Sequence, residues 1–240
     1  MIYVTSDIHG NSRRFNSILK QIDLQPEDTL YVLGDVIDRH PDGIKILRKL
    51  MAMPNVKMLL GNHEYMMMQA LGIAVGFGDG DPMHYQDLWY RNGGGITHSH
   101  WKHIRKTARK EILNYLTSLP INVDIHVNGI HYKLAHAAAE DTYEDAWHKH
   151  LYQNSMEYAV WYRPWLEEFQ QKDYTLVFGH TTTKRFQHGY PMRIFNGCGV
   201  IGIDCGSGYP DDPENPYSRQ GRLACLRLDD MKEFYSEDSD

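Results

Sequence analysis

Residues 2–22 read IYVTSDIHGNSRRFNSILKQI, and the rest of the chain follows from how this stretch is divided. Ile2 to Thr5 is a short β-prone run that stops at a polar cluster, Ser6-Asp7-Ile8-His9-Gly10-Asn11. Phe15, Ile18, Leu19 and Ile22 then recur at helical spacing. The same order of strand, polar stop and helix returns twice. Thr29 to Leu33 is a continuous apolar run that ends at Gly34-Asp35, and Pro41 can open a helix in which Ile44, Leu47 and Met51 share a face. Val56 to Leu60 is a third strand, ending at Gly61-Asn62-His63-Glu64. Strands alternating with helices at this interval predict β-α-β units, a parallel sheet and an α/β fold.

Further along, the pattern loosens. Residues 72–80 are glycine-rich, and residues 89–95 read as a loop. Residues 101–119 predict one helix, with Ile104, Ala108, Ile112 and Tyr115 along one side. Two β-prone runs, residues 121–127 and 130–135, flank Asn128-Gly129 and predict a hairpin. Residues 138–172 read as mainly helical and rich in aromatic side chains, and residues 174–178, 200–204 and 222–228 supply further strands. From Asp229 onward six of the twelve residues are acidic, which predicts a solvated, frayed tail over 229–240. No composition break marks a boundary, so a single domain over residues 1–240 is expected.

With 42% hydrophobic and 23% charged residues, the chain has an ordinary globular composition, which excludes a disordered protein. A net charge of −6 argues against a general nucleic-acid binder, which needs a basic face. No secretory pattern follows Met1, and the longest weakly polar stretch, residues 65–78, falls short of the roughly 20 residues a membrane helix needs. Cys198, Cys205 and Cys225 are odd in number and form no C-x-x-C pair. Buried free thiols and a cytoplasmic setting are therefore expected, with no membrane partner.

The polar residues that could carry chemistry stand at strand ends, where ligand sites gather in α/β sheets. Asp7 and His9 are two apart and would share a side of extended backbone. Asp35 follows the second strand, Asn62 the third, and His136 and His180 end two later ones. If the first three strands are neighbours, their ends lie about 5 to 10 Å apart. A pair of metal ions roughly 3.5 to 4 Å apart, bridged by a carboxylate, would fit there. Any one of these residues alone reads as a helix cap or a structural histidine. Five strands that each end in an oxygen or imidazole donor form a pattern.

Ser6-Asp7-Ile8-His9-Gly10, then Gly34-Asp35-Val36-Ile37-Asp38-Arg39, then Gly61-Asn62-His63-Glu64, resembles the signature of the calcineurin-like metallophosphoesterases. The arginine and the glutamate point to the phosphoprotein-phosphatase branch. That branch includes bacterial and lambda-phage serine/threonine protein phosphatases and the symmetrical diadenosine tetraphosphatases. The match continues through His136, residues 160–164, Gly179-His180-Thr181 and residues 203–206 to about Gly221.

The resemblance implies an αββα sandwich with a dimetal site at its strand ends. It implies Asp7 and His9 as ligands of a first metal, Asp35 as the bridge, and Asn62, His136 and His180 as ligands of a second. His63 becomes the catalytic histidine, Asp38 its acidic partner, and Arg39 and Arg163 the phosphate-binding arginines. Two divalent ions are expected, manganese first and iron or zinc as alternatives. The implied reaction is direct attack on phosphorus by a metal-bridging hydroxide, with no phosphoenzyme.

The leading expectation is a serine/threonine protein phosphatase acting on a phosphorylated protein or small phosphomonoester. A diadenosine tetraphosphatase-like pyrophosphohydrolase is the alternative, and a non-catalytic scaffold that binds a phosphorylated ligand is a third reading. Base stacking on Trp89, Tyr90, Tyr162 or Trp165 would favour the nucleotide. The sequence departs from the family at His40, where glycine is usual, and at Ala137-Ala138, in place of a glycine pair. Both changes are expected to alter loop shape beside the pocket.

Other features read as background. His98, His100 and His103 predict a solvated rim, and Met66-Met67-Met68 predicts packing. Residues 92–95 read as a turn. The segment from Trp147 to Trp165 is expected to pack on the sheet, with Arg163 its one functional residue.

Overall fold

The computed structural model describes residues 1–73, 82–147, 149–163, 165, 172–189, 191–209 and 221–237. The strands in chain order are β1 (Ile2–Thr5), β2 (Thr29–Val32), β3 (Val56–Met58), β4 (Asn122–Val127) and β5 (Ile130–Ala135). They continue as β6 (Thr175–Phe178), β7 (Phe195–Gly197), β8 (Val200–Gly202), β9 (Ala224–Arg227) and β10 (Lys232–Tyr235). The α-helices are α1 (Ser12–Ile22), α2 (Gly43–Met51), α3 (Asn62–Ala70), α4 (Pro82–Arg91), α5 (Gly95–Trp101), α6 (Lys106–Thr117) and α7 (Ser155–Trp161).

Two mixed sheets form an α/β sandwich. One has the order β10-β9-β1-β2-β3 and the other β4-β5-β6-β8-β7. β1, β2 and β3 are parallel neighbours, as their β-α-β spacing predicts, and β5, β6 and β8 are parallel in the second sheet. Alternation along each strand divides the core into layers. Val4, Tyr31, Leu33 and Leu226 meet Leu134, Val177 and Ile201 between the sheets. Tyr3, Leu30, Val32 and Cys225 face outward under Phe15, Ile18 and Leu47 of the helices. Leu176 and Phe178 form a smaller cluster with Phe186 and Phe195 on the far side of the second sheet.

The structure corrects several local readings. The helix expected over 101–119 is α6, which starts only at Lys106; α5 ends at Trp101, and Arg105 is extended between them. Arg109 turns back to cap the break, donating to the carbonyls of Ile104 and Lys102 at 2.9 and 2.8 Å. Of the loop expected over 89–95, residues 92–94 are the turn, whereas 89–91 complete α4, where Trp89 fills a buried site, and α5 begins at Gly95. Within 138–172 the one described α-helix is α7, started by Asn154, whose side chain accepts from the Glu157 amide. Residues 148, 164 and 166–171, and most of the glycine-rich stretch at 74–80, lie outside the described residues. Cys205 and Cys225 are buried as expected, but Cys198 is exposed, in the left-handed turn between β7 and β8.

The acidic end is the clearest correction. Residues 232–235 are not frayed; they pair antiparallel with β9 as the edge strand β10. Phe234 alone of the strand is buried, against Tyr3 at 6.1 Å between ring centroids. Gln21 of α1 donates to the Tyr235 carbonyl at 2.8 Å, which ties the edge to the helix layer. One inward phenylalanine among charged neighbours carries too little periodicity to be read as a strand. Phe234→Ala is expected to lower unfolding stability by about 3 kcal/mol, measured as the urea midpoint at constant m. An unchanged midpoint would mean that the edge strand adds nothing.

Candidate metal centre

The ends of β1, β2 and β3 meet the ends of β5 and β6, and every donor expected at a strand end arrives at this junction. Six of the residues singled out by the sequence hold left-handed backbone: Asp7 (φ 55), His9 (φ 50), Asp35 (φ 54), Asp38 (φ 72), Arg39 (φ 67) and His180 (φ 59). Such conformations are costly for residues other than glycine and cluster where side chains must be aimed. They also correct the expected geometry of the first pair. Asp7 and His9 converge because the chain coils tightly after β1, not because they alternate along extended backbone.

Asp35 lies at the centre. Its Oδ2 is 3.7 Å from His9 Nε2 and 3.8 Å from His63 Nε2, and its Oδ1 is 3.5 Å from His136 Nε2. Asp7 Oδ1 is 3.8 Å from His9 Nε2, and Asp7 Oδ2 accepts the His180 amide at 3.0 Å. Asn62 Oδ1 lies 2.9 Å from His136 Nε2 and 3.0 Å from His180 Nδ1. Donor atoms on one metal, each about 2.0 to 2.2 Å from it, stand roughly 3 to 4 Å apart. Among the described residues, two groups bring their ligand atoms close enough to hold a cation: His9, Asp35 and His63, and Asp35, His136 and His180.

The ring nitrogens facing outward fix what the inward ones offer. His9 Nδ1 donates to the Ile37 carbonyl at 3.2 Å, His136 Nδ1 to Leu33 at 2.7 Å, and His180 Nε2 to Trp161 at 3.1 Å. A carbonyl only accepts, so each of these nitrogens carries the hydrogen and the second nitrogen of each ring is the one turned inward. Burial, reinforced by Arg39 beside His9 and by His136 beside His180, holds both of those histidines well below the usual range. The inward lone pairs of those two rings face carboxylate and amide oxygens that are also acceptors. Burial, together with Asp35, raises Asp7 and brings Glu64 to about 7, and burial with Asp7 brings Asp204 to about 8. Acceptors facing acceptors, among crowded carboxyl groups, are a donor set suited to cations.

His63 differs in character. Its Nδ1 donates to Asp38 Oδ2 at 2.6 Å. Burial works against its charge, but the Asp35 and Asp38 carboxylates outweigh burial and raise its pKa. Arg39 brings a guanidinium nitrogen to 3.3 Å from His63 Nε2. Arg163 instead donates to the His180 carbonyl at 3.1 Å and to Thr181 Oγ1 at 3.3 Å. The two arginines therefore stand beside different histidines, one at each half of the site.

Two residues that matter here lay in the quoted motifs without an assigned task. Glu64 accepts from three successive amides, Asp35 at 2.8 Å, Val36 at 2.9 Å and Ile37 at 3.3 Å, and so shapes the loop that presents Asp35. Asp204 is buried next to Asp7 and accepts the Gly206 amide at 2.8 Å. Close approach also dictates two glycines. A Cβ at Gly61 would fall on the Asp35 amide and carboxylate, and one at Gly179 on Ser6 Oγ and Asp7 Oδ2. The departures have bland explanations. Ala137 and Ala138 are buried and both donate to the Ala159 carbonyl, at 3.1 and 3.0 Å, which pins their loop to α7. His40 Nε2 meets the Tyr209 carbonyl at 3.3 Å. His98 stacks on Trp89 outside both donor groups, and Met66, Met67 and Met68 are core.

Comparison with known proteins places this geometry. The chain is 31% identical over 140 residues to serine/threonine-protein phosphatase 2 of Escherichia coli (strain K12), covering 57% of each chain. It is 37% identical over 78 residues to the symmetrical bis(5'-nucleosyl)-tetraphosphatase of Erwinia tasmaniensis, covering 32% of this chain and 27% of that one. The matches thus span about half or less of these relatives' lengths. A crystallised metallophosphoesterase from Sphaerobacter thermophilus shares the fold at a TM-score of 0.55 and 16% identity, over 98% of this chain and 87% of that one. No described helix is long and apolar enough to cross a membrane. The family profile of the calcineurin-like phosphoesterases matches residues 1–201, and the chain belongs to that family.

Proposed function

We propose that the chain is a dimetal-dependent phosphomonoesterase of the serine/threonine protein phosphatase type. The observation that carries this reading is the aim of three buried imidazoles, His9, His136 and His180, each tethered to a backbone carbonyl and facing Asp35 or Asn62. Asp7 and His9 would hold one cation, Asn62, His136 and His180 the other, and Asp35 both. Two divalent ions, manganese first and iron or zinc as alternatives, would supply an attacking oxygen from water at neutral pH and charge opposite the phosphoryl oxygens.

The chain's own groups handle the rest. Arg39 and Arg163 bind phosphoryl oxygens, and a planar fork suits that task better than an ammonium. His63, with its raised pKa, holds a proton at Nε2 for the leaving oxygen, while Asp38 takes the Nδ1–H and fixes the ring. In that state His63 Nε2 and the Arg39 nitrogen are two donors 3.3 Å apart that need a common acceptor, which a phosphate ester provides. His63 also lies within reach of a cation position, but the Arg39 guanidinium beside it disfavours that role. No side-chain nucleophile is required, so no phosphoenzyme forms.

Burial bears on the substrate. Trp89 is 0% and Tyr162 3% exposed, so neither ring offers a face to a base. Tyr90 and Trp165 remain, at 42% and 56% exposure, and they sustain the nucleotide pyrophosphohydrolase as the second reading. A monoester needs no base platform, and the leading reading requires none.

Three measurements test these assignments. Asp35→Asn is expected to cost both metals together, seen by elemental analysis of the purified variant; two retained ions with normal turnover would remove Asp35 from the bridge. His63→Asn is expected to keep the metal content while kcat falls roughly 10²- to 10⁴-fold, and less for p-nitrophenyl phosphate than for a phosphoserine peptide. Equal losses on both substrates would count against a proton donor. In a panel on manganese-loaded protein, phosphopeptide or aryl monoester hydrolysis is expected to exceed diadenosine tetraphosphate cleavage in kcat/KM. A nucleotide preference of about tenfold or more, lost on truncating Tyr90, would reverse the choice.

A further inference from the structure

The segment 89–95 reads in the sequence as a loop and a glycine turn, yet together with Thr97 it grips the residues next to the reacting centre. Trp89 is fully buried at the end of α4, and its indole Nε1–H donates to Asp38 Oδ2 at 2.8 Å. That is the same oxygen that accepts His63 Nδ1–H at 2.6 Å. Among the described residues Asp38 Oδ1 has no hydrogen-bond partner, so the carboxylate's pairing there falls on Oδ2 and Trp89 supplies half of it. The backbone is held as well. The Asp38 amide donates to Thr97 Oγ1 at 3.0 Å, and the Arg39 amide to the Gly93 carbonyl at 3.2 Å.

These bonds hold two successive residues in left-handed conformation, a stretch the chain would otherwise leave. The glycines fit the same arrangement. A Cβ at Gly94 would fall on the Trp89 indole, and one at Gly93 would stand 3.0 Å from Arg39 Cγ. A carboxylate with a single donor can turn about its terminal torsion and exchange its oxygens. A second donor from a fixed indole, arriving on the same oxygen, removes that freedom.

We infer that Trp89 is a positioning residue for proton donation. By fixing the Asp38 carboxylate it fixes the His63 ring, and with it the direction of Nε2 toward the leaving oxygen. Thr97 and Gly93 hold the Asp38–Arg39 backbone in register with it. The inference rests on the proposed roles of His63 and Asp38.

A double-mutant cycle with manganese-loaded protein tests it, using Trp89→Phe, Asp38→Asn and the pair on phenyl phosphate and a phosphoserine peptide. Trp89→Phe keeps most of the ring and loses the N–H. It is expected to lower kcat about tenfold, with KM within twofold and metal content unchanged. In the Asp38→Asn background the same change is expected to cost less than twofold, because the partner through which it acts is already altered. An equal loss in both backgrounds, or a loss confined to KM or metal content, would overturn the inference.

A second measurement leaves Trp89 intact. The chain has five tryptophans, and Asp38→Asn is expected to move one indole 15N–1H signal strongly and leave the other four in place. No movement would overturn the inference even if Trp89→Phe failed to fold. The two levels of proposal separate cleanly. If His63→Asn shows no leaving-group dependence, the proton-donor reading fails and takes this inference with it. If that dependence holds while the cycle is additive, the positioning role of Trp89 alone fails.

Discussion

A buried carboxylate facing imidazoles from two sheets is the constraint on which the rest of the molecule depends. Asp35 is wholly enclosed, and burial would push its pKa upward; His136 and His63 more than reverse that and hold it below the ordinary carboxylate value. To put it there, β2 must end beside β1 and β3, and the second sheet must bring β5 and β6 to the same line. The His63 amide grips Asp35 Oδ1 at 3.0 Å and Glu64 grips the Asp35 amide, so the start of α3 is part of the fixture. Gly61 stands between them because nothing larger fits. The fold supplies the junction, and the junction dictates the side chains.

The same constraint accounts for the local strain. Ten non-glycine residues have positive φ among those described, and six of them are site residues singled out by the sequence. Each such residue costs of order 1 kcal/mol or more. Isolated, these turns would relax. They persist because amides of the strained loops are taken up across the junction: Asp7 by the Gly34 carbonyl at 3.2 Å, His9 by Asp35 at 2.9 Å and Gly10 by Val36 at 2.7 Å. The first two loops therefore hold one another in shape. A change in either is expected to be felt by the other, which makes contributions of single residues here poorly additive.

What could be read in the sequence follows from where information is local. β1, α1, β2 and α2 were legible because apolar spacing, glycine punctuation and strand-end polar residues all lie within a few positions of one another. The site was legible for the same reason, since each donor directly follows its strand. What depended on distant partners was not. β10 hides in acidic sequence because only Phe234 turns inward, and β7 is three residues, Phe-Asn-Gly, that become a strand by pairing with β8. Asp7 and His9 do meet, but not by the alternation that their spacing suggests, because periodicity describes extended backbone and cannot announce a left-handed turn. Trp89 lies in a stretch that reads as a loop, yet it is buried behind His63 and Asp38 by a contact some fifty positions away.

That displacement of the aromatic residues also bears on how substrate choice is built. In the described structure the core takes Trp89 and Tyr162, and Tyr162 lies in a cluster with Tyr158, at 4.7 Å between centroids, and Tyr152, at 6.1 Å. Trp165 is engaged with the Arg185 guanidinium at 4.9 Å, and Tyr90 bonds His98. Aromatic rings with partners of their own stabilise walls more readily than they open to receive a base. The charged groups show the opposite distribution. Arg39 and Arg163 reach the site from exposed positions on separate loops, each fastened at one end to a histidine or its carbonyl. With Arg39 and Arg163 in the roles proposed for them, recognition would be concentrated on the phosphoryl group and would leave the remainder of the substrate to the surface around it. Such a site would discriminate by access and by leaving-group chemistry more than by contacts to a particular base, and the proposed substrate, a monoester carried on a larger molecule, is the class that would demand least beyond it.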